Sequence, residues 1–561
     1  MNGSFCLVLH GHLPWVLHHG RWPHGEDWLF EAASGTWLPL IEVIDQCREE
    51  GIRPGWTLGL NPILLEQLAS DRFREGFPKW LAAQAERAKQ DDATFTEQGD
   101  LHLAHLATRW RERYTRLAAR FEVAGRDIAG EMLKAEQDGL IELLTSNATH
   151  GYHALMLHDS CARAQVRAGV ATSEKHLGHR PRGMWLPECA YRPPKEFWPP
   201  AVHGNSRRVD GVGSIVAEEG IRYFVVDTRL VTDSHPEAIL EHGRADPVGA
   251  GQAEWDALRA WKNELEPHRV VENGRLLDVT VFARSPHVSE QVWSGAVGYP
   301  GDGRYLEFHK RYGQRGLQYW KVTGSEVDLG DKQPYYPDDV QSALHGQAQH
   351  FVQLVKDRLG MHDHRTGRHG VVCAPFDAEL FGHWWHEGPR FLLEVARRLH
   401  HEAEIEVRTL GEVVKHRPSD KAASIPEGSW GAGGDHRVWL NDELRFYWEV
   451  VYRAEDRFME LWHRASWREN ERVRELLVEG GRQLLLLQSS DWPFVISTKG
   501  AVDYGLRRIF GHASALDDLL NGVEDVLANP EAPLDPVVAE ALSRSQLRDR
   551  VFEHLDLSWW A

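Results

Sequence analysis

The sequence predicts an α/β protein built on a parallel sheet, with an α-helical C-terminal part. Three observations predict it. Short apolar runs recur between Phe5 and Val407, each followed by polar or Gly-rich residues and then by helical periodicity. The runs are apolar on both sides, so they read as buried parallel strands alternating with helices, in a barrel or a doubly wound sheet. Polar residues capable of chemistry gather just after the runs, where parallel α/β folds keep their sites.

The runs lie at 5–9, 56–60, 140–144, 183–186, 223–226, 279–282, 371–374 and 405–407. After them stand His10 and His12, Asn61, His150, Glu188, Asp227, Arg284 and Asp377. Two stretches break the alternation. Residues 77–136 are helical and highly charged, too long for a simple crossover, and read as a helical excursion on one edge. Residues 227–277 contain Pro236, Gly243, Gly249, Gly251 and the charged run K-N-E-L-E-P-H, and read as a mobile insertion near the mouth. Beyond about Pro418 strand signals vanish. A Pro-, Ser- and Gly-rich link at 415–434 leads to amphipathic patterns such as 440–465 and 469–488. The expected organisation is a catalytic unit over 1–415, carrying the excursion and the insertion, and a helical unit over 416–561.

A chain of 561 residues is too long for one small core. Its 64 basic against 83 acidic residues leave a net charge of −19, which argues against a nucleic-acid or anionic-membrane partner. No apolar run approaches the roughly 20 residues of a membrane span. The start M-N-G-S-F-C-L-V-L-H lacks the basic residues of a signal peptide. Cys6, Cys47, Cys161, Cys189 and Cys373 form no C-x-x-C pair and suit reduced thiols in the cytoplasm. The unusual counts are 23 Trp and 32 His, because several of these Trp stand in polar loops: G-E-D-W at 25–28, E-Q-V-W-S at 290–294 and G-S-W-G at 428–431. A flat ring with a polar rim suits the face of a sugar; core packing is the competing use.

Four segments hold the candidate chemistry. In L-H-G-H-L-P-W-V, His10 and His12 are two apart and point to one side of an extended backbone. They are substrate donors, a metal pair awaiting further ligands such as His150 and Asp377, or two turn histidines. In T-S-N-A-T-H-G-Y-H, His150 precedes Gly151, where backbone can approach a ligand. In G-M-W-L-P-E-C-A-Y, Pro187 stops the strand and Glu188 emerges at its tip among apolar residues, as a nucleophile or a general acid. The structural alternative is a salt bridge to Arg180, Arg182 or Arg192. In F-D-A-E-L-F-G-H-W-W-H-E-G, the helix that follows turns Glu379 away and leaves Asp377 as the acid of interest, or as a mere helix cap. Two buried carboxyls brought together are the parts for acid/base work or for attack at a glycosidic carbon.

Taken in order, these four segments resemble the four motifs of glycoside hydrolase family 57, over essentially the whole chain. Within the family the sequence is most similar to the 1,4-α-glucan branching enzymes. They share G-E-D-W, matching Trp28; S-W-G with a second Trp nine residues on, here Trp430 and Trp439; and a late S-S-D-W-P-F containing Asp491. The resemblance implies an incomplete (β/α)7 TIM-like barrel, so one of the runs lies outside it, and an α-helical C-terminal domain. It implies a retaining double displacement on an α-glucan such as amylose or glycogen, with Glu188 as nucleophile and Asp377 as acid/base. It carries over His10, His12, Trp28, His150, Trp293, Trp430, Trp439 and Asp491 as substrate contacts or site-shaping groups, with no cofactor and no metal. A role in glycogen biosynthesis follows from it.

One departure stands out. Branching enzymes of this type have a mobile loop with a Tyr that keeps water from the intermediate. The matching stretch here, 227–277, has no Tyr; it has His235, His242, Trp255 and Trp261. The balance of transfer to hydrolysis is therefore open, and an α-amylase-like hydrolase is the first alternative. A metal-dependent barrel hydrolase and a silent glucan-binding protein are the others.

Overall fold

The computed structural model describes residues 3–201, 206–241, 244–247, 263–294, 297–313 and 316–561. Seven strands curl into a parallel sheet: β1 (Gly3–Gly11), β2 (Trp56–Leu60), β3 (Ile141–Ser146), β4 (Gly183–Trp185), β5 (Tyr223–Val226), β6 (Arg275–Ala283) and β7 (Gly370–Asp377). Their order is β7-β1-β2-β3-β4-β5-β6, and each neighbouring pair is parallel. Between β6 and β7 the contact narrows to a bridge of Arg284 with Cys373. The ring thus closes without a full ladder, as an incomplete (β/α)7 barrel.

All eight apolar runs are strands. The one outside the barrel is Ile405–Val407, which pairs with Gly3–Phe5 of β1 before β1 meets β2 at Val8–Gly11. Strand alternation divides the side chains into two cores. Cys6 and Val8 of β1, Trp185, Tyr223, Val225, Phe282, Val371 and Cys373 fill the barrel interior. Phe5, Leu7, Leu9, Val372, Ala374 and Phe376 pack outward in the larger core shared with the helices. The same parity puts His10 and Asp377 on the inward face at the top of β1 and β7.

The excursion is three helices, Asp71–Glu97, Leu101–Val123 and Ile128–Gln137, capped by Ser70, Asp100 and Asp127. It begins at Asp71, behind the Ser70 cap and six residues before the sequence pattern suggests.

Two features carry no signal in the sequence pattern. The described parts of 227–277 include sheet as well as the short helix Thr228–Thr232. His268–Glu272 pairs antiparallel with β6, and His235–Glu241 forms a hairpin with Arg244–Pro247. Trp255, Trp261 and His242 lie outside the described residues. The strand Lys421–Ser424 also lies where no strand signal is visible. It joins His268–Glu272 to His235–Glu241. Four residues without β-branching carry no signal of their own, and the strand exists because two sheet edges need hydrogen-bond partners.

The last part is helical: Arg445–Arg464, Glu471–Leu487, Asp491–Ser497, Val502–Ala528 and Pro536–Arg548. It grips the loop after β1, where Trp15 Nε1 donates to the Arg548 carbonyl at 2.9 Å and His19 Nε2 to Asp549 at 2.7 Å. Among the described residues no helix is long and apolar enough to cross a membrane.

Candidate active site

The mouth of the barrel opens into a cavity of about 540 Å³. All ten sequence-predicted site residues line it: His10, His12, Trp28, His150, Glu188, Trp293, Asp377, Trp430, Trp439 and Asp491. The strands decide the placement. β1 and β7 pair in register so that His10 stands directly beside Asp377.

Glu188 is positioned by backbone strain. Pro187 ends β4 and opens a single 3-10 turn, Pro187–Cys189. Within it Glu188 has φ 60° and Cys189 φ 50°; His150 has φ 57°. Such left-handed conformations cost roughly 1–3 kcal/mol each outside glycine and persist where the surroundings impose them. Trp430 imposes this one: its backbone N–H donates to the Glu188 carbonyl at 3.0 Å and its indole Nε1 to Glu188 Oε2 at 2.9 Å. Two of the three arginines that competed for Glu188 in the sequence are engaged elsewhere, Arg180 with Glu219 and Arg192 with Asp159. Asp377 occupies the N-cap position of the next short turn, but its side chain makes no capping hydrogen bond.

A chain of hydrogen bonds leads to Glu188. Ser490 Oγ donates to Glu188 Oε1 at 3.1 Å. His150 Nδ1 is 2.7 Å from Ser490 Oγ, and His150 Nε2 is 3.1 Å from His10 Nε2. The Ser490 proton is spent on Glu188, so His150 must donate through Nδ1–H and accept at Nε2 from His10 Nε2–H. This requires a neutral His150, while His10 donates from Nε2–H in either protonation state; burial holds both imidazoles well below their usual range. The donors therefore all point toward the Glu188 carboxylate.

The second histidine belongs to a different group. His12 Nε2 donates to Asp491 Oδ2 at 2.8 Å, and Ser489 Oγ donates to the same oxygen. His12 N–H donates to Glu379 Oε1 at 2.9 Å. This corrects the expectation for Glu379. The 3-10 turn Ala378–Leu380 does not carry it away; it is buried and lines the cavity. A 3-10 turn advances about 120° per residue, so a side chain two positions past the strand end is not swung to the far face.

Aromatic rings form the walls. Trp185 stacks on His10 at 4.8 Å, and Trp430 meets the rings of Trp185 at 5.0 Å and Trp293 at 5.8 Å edge-on. Trp439 is only 1% exposed and packs on Tyr152 at 5.0 Å. Trp384, 39% exposed, stands at the opening. Arg284 lines the cavity and is held by Asp227 at 2.7 Å.

Burial raises both central carboxyls. Asp377 is pushed up to about 7 by desolvation, with His12 opposing and Asp491 adding to the rise. Glu188 is pushed up to about 8, first by desolvation and then by the charges of Asp377 and Asp491, against the hydrogen bonds from Trp430 and Ser490. Glu379 is raised by burial and by Asp377. Among the described residues no three His, Cys, Asp or Glu side chains are grouped to hold a metal ion.

Sequence reasoning passed over Ser490, Glu379 and Trp384 as site residues. Each lies inside a motif it did single out, S-S-D-W-P-F or F-D-A-E-L-F-G-H-W-W. The signal was present, but choosing among neighbours within a motif needs the third dimension.

Residues 6–426 match glycosyl hydrolase family 57, and residues 450–560 match the family described as 1,4-alpha-glucan branching enzyme, C-terminal. The chain is 36% identical over 522 residues to a 1,4-alpha-glucan branching enzyme of Thermococcus kodakarensis, covering 93% of this chain and 74% of that protein. It is 32% identical over 533 residues to a probable 1,4-alpha-glucan branching enzyme of Mycobacterium tuberculosis, covering 92% and 91%. Among solved structures, the branching enzyme of Pyrococcus horikoshii superimposes with a TM-score of 0.88 at 32% identity, covering 100% of this chain and 97% of that one. An α-amylase of Thermotoga maritima does so with 0.80 at 26%, covering 100% and 99%. The four motifs, the seven-stranded barrel and the match over most of the chain lead to one conclusion: this chain belongs to glycosyl hydrolase family 57.

Proposed function

We propose that this chain is a 1,4-α-glucan branching enzyme acting by retaining double displacement, with Glu188 as nucleophile and Asp377 as acid/base. The observation that carries the reading is that Glu188 and Asp377, far apart in sequence, line one aromatic-walled cavity with every other residue the motifs single out.

Protonated Asp377 gives its proton to the glycosidic oxygen of an α-1,4 bond. The Glu188 carboxylate attacks the anomeric carbon, and a covalent glycosyl-enzyme forms as the C–O bond breaks. A 6-hydroxyl of another glucan then attacks the same carbon. Asp377, now ionised, takes its proton, and Glu188 leaves as a carboxylate. Net retention follows from the two inversions.

The protonation states this needs follow from the surroundings. Asp377, raised to about 7, and Glu188, raised to about 8, compete for one proton, and the reaction runs from the state in which Asp377 holds it, as an acid requires. Once Asp377 holds that proton, the like charge facing Glu188 is gone. The donors Trp430 Nε1 and Ser490 Oγ then favour the Glu188 anion. His12 and Asp491 bind sugar hydroxyls. Trp28, Trp293 and Trp430 meet sugar faces, while buried Trp439 shapes the wall behind them. The physiological setting is glycogen synthesis in the cytoplasm, a reading supported by five buried, unpaired cysteines.

A hydrolase is the second reading, favoured by the likeness to the α-amylase of Thermotoga maritima and by the absence of Tyr from 227–277. Incubation with amylose separates the two. Branching gives α-1,6 linkages with few new reducing ends; reducing ends without α-1,6 linkages would leave only the hydrolase.

A further inference from the structure

A second cavity, of about 570 Å³, lies between the helix Leu101–Val123, residues 335–341 and the start of the helix Gly388–His400. It is lined by Arg109, Arg113 and Arg116 from the first helix and by Arg390 from the last. Spacings of four and three residues put the first three on one helix face, where like charges repel. Arg116 is neutralised by Glu42 at 3.1 Å. Among the described residues, Arg109, Arg113 and Arg390 are in no ion pair. Arg113 donates to the Ser34 carbonyl at 3.1 Å and Arg390 to the Gln341 side-chain oxygen at 2.6 Å.

Arg390 also occupies the first turn of its helix, where the macrodipole disfavours a cation. The carboxylates in the lining are Glu112 and Asp338, both exposed. His386 registers the resulting field: burial first, then Arg113, Arg390, Arg109 and Arg116, hold its imidazole well below the usual range. Arg109 and Arg390 are exposed and solvated, and Arg113 is half-buried; what sets them apart in a chain of net charge −19 is that three cations without a carboxylate partner among the described residues converge on one cavity.

We propose that this cavity binds a phosphorylated sugar, with Arg109, Arg113 and Arg390 on the phosphate. Guanidinium forks match phosphate oxygens, and a dianion relieves the repulsion that the fold leaves standing. The volume lies in the range of small-molecule sites and exceeds what a bare phosphate fills. Gln318, Gln341, Tyr335 and the ring of Trp110 line the remainder, offering polar groups and a flat face to a hydroxylated ring.

The test is calorimetric titration of the full chain at low salt with glucose 1-phosphate, inorganic phosphate and glucose. Glucose 1-phosphate should bind, and inorganic phosphate about tenfold more weakly. Arg109→Gln and Arg390→Gln should each weaken glucose 1-phosphate by about tenfold, with unchanged melting temperature and unchanged action on amylose. Should either variant fail to fold, Arg109→Lys keeps the charge, loses the fork and should still weaken binding. No heat up to about 10 mM glucose 1-phosphate, or equal binding by the folded variants, overturns the site. Inorganic phosphate binding as tightly as glucose 1-phosphate overturns the sugar component.

Discussion

The Ser490 hydroxyl, at the entrance to a C-terminal helix, donates to Glu188 at the tip of β4 across 302 residues of sequence. The barrel thus supplies the carboxylate and the helical part supplies one of its two side-chain donors. Ser490→Ala should lower kcat about 10- to 100-fold, the cost of leaving a buried carboxylate and His150 Nδ1 short of a partner. KM and the circular dichroism spectrum should hardly change. The acid limb of the pH profile should move to higher pH, because a donor to the charged form is lost. An unmoved acid limb would reduce Ser490 to a packing residue.

Glu188→Gln should abolish turnover while glucan binding survives, since the amide keeps the shape and loses the nucleophile. Asp377→Asn should lose roughly 10²–10⁴-fold on amylose but still form the glycosyl-enzyme from a donor with a good leaving group. Azide should rescue the Asp377 variant with retained configuration and give an inverted product with the Glu188 variant. The reverse pattern would exchange the two roles.

Raised carboxyls also bear on stability. A carboxyl whose folded pKa lies above its unfolded value adds stability below the unfolded pKa and loses it as pH rises through the folded one. For Glu188 that window runs from about 4.5 to about 8. Glu188→Gln should therefore melt higher than the parent at pH 8, by roughly 1–3 °C, with the gap closing toward pH 4. Activity should fall as pH rises through the Asp377 value of about 7. A melting difference that is constant with pH would separate burial of Glu188 from its protonation.

Metal chemistry makes a different set of demands. Activity on amylose should persist after prolonged chelation, with no stoichiometric zinc found by elemental analysis. His10→Ala should act through the His150–Ser490 chain and His12→Ala through Asp491, each lowering kcat without altering metal content. Loss on chelation restored by zinc would favour a metallohydrolase.

Transfer wins only if the glycosyl-enzyme is kept from water. We propose Trp255 or Trp261, both outside the described residues, as the substitute for the absent Tyr, with packing under the insertion as the competing use. The unmodified enzyme should branch amylose with more hydrolysis than a Tyr-bearing relative. Trp255→Ala or Trp261→Ala should raise the share of reducing ends further; unchanged product ratios would assign both rings to packing.

Sequence alone determined the barrel strands and their parallel sense, and its motifs, with the resemblance they carry, named ten of the residues that line the cavity. Buried parallel strands are written as local apolar runs, and the motifs at their ends are contiguous. What only the tertiary structure decided is which neighbours within a motif face the cavity and who partners whom. The register of β1 against β7 sets His10 beside Asp377, and the left-handed turn at Glu188 aims it at Trp430 and Ser490. The inward position of Glu379, the packing of Trp439 behind the wall and the strand Lys421–Ser424 belong to the same class. Each depends on long-range pairing between groups whose own sequence surroundings carry no trace of the partner, so local periodicity cannot encode it.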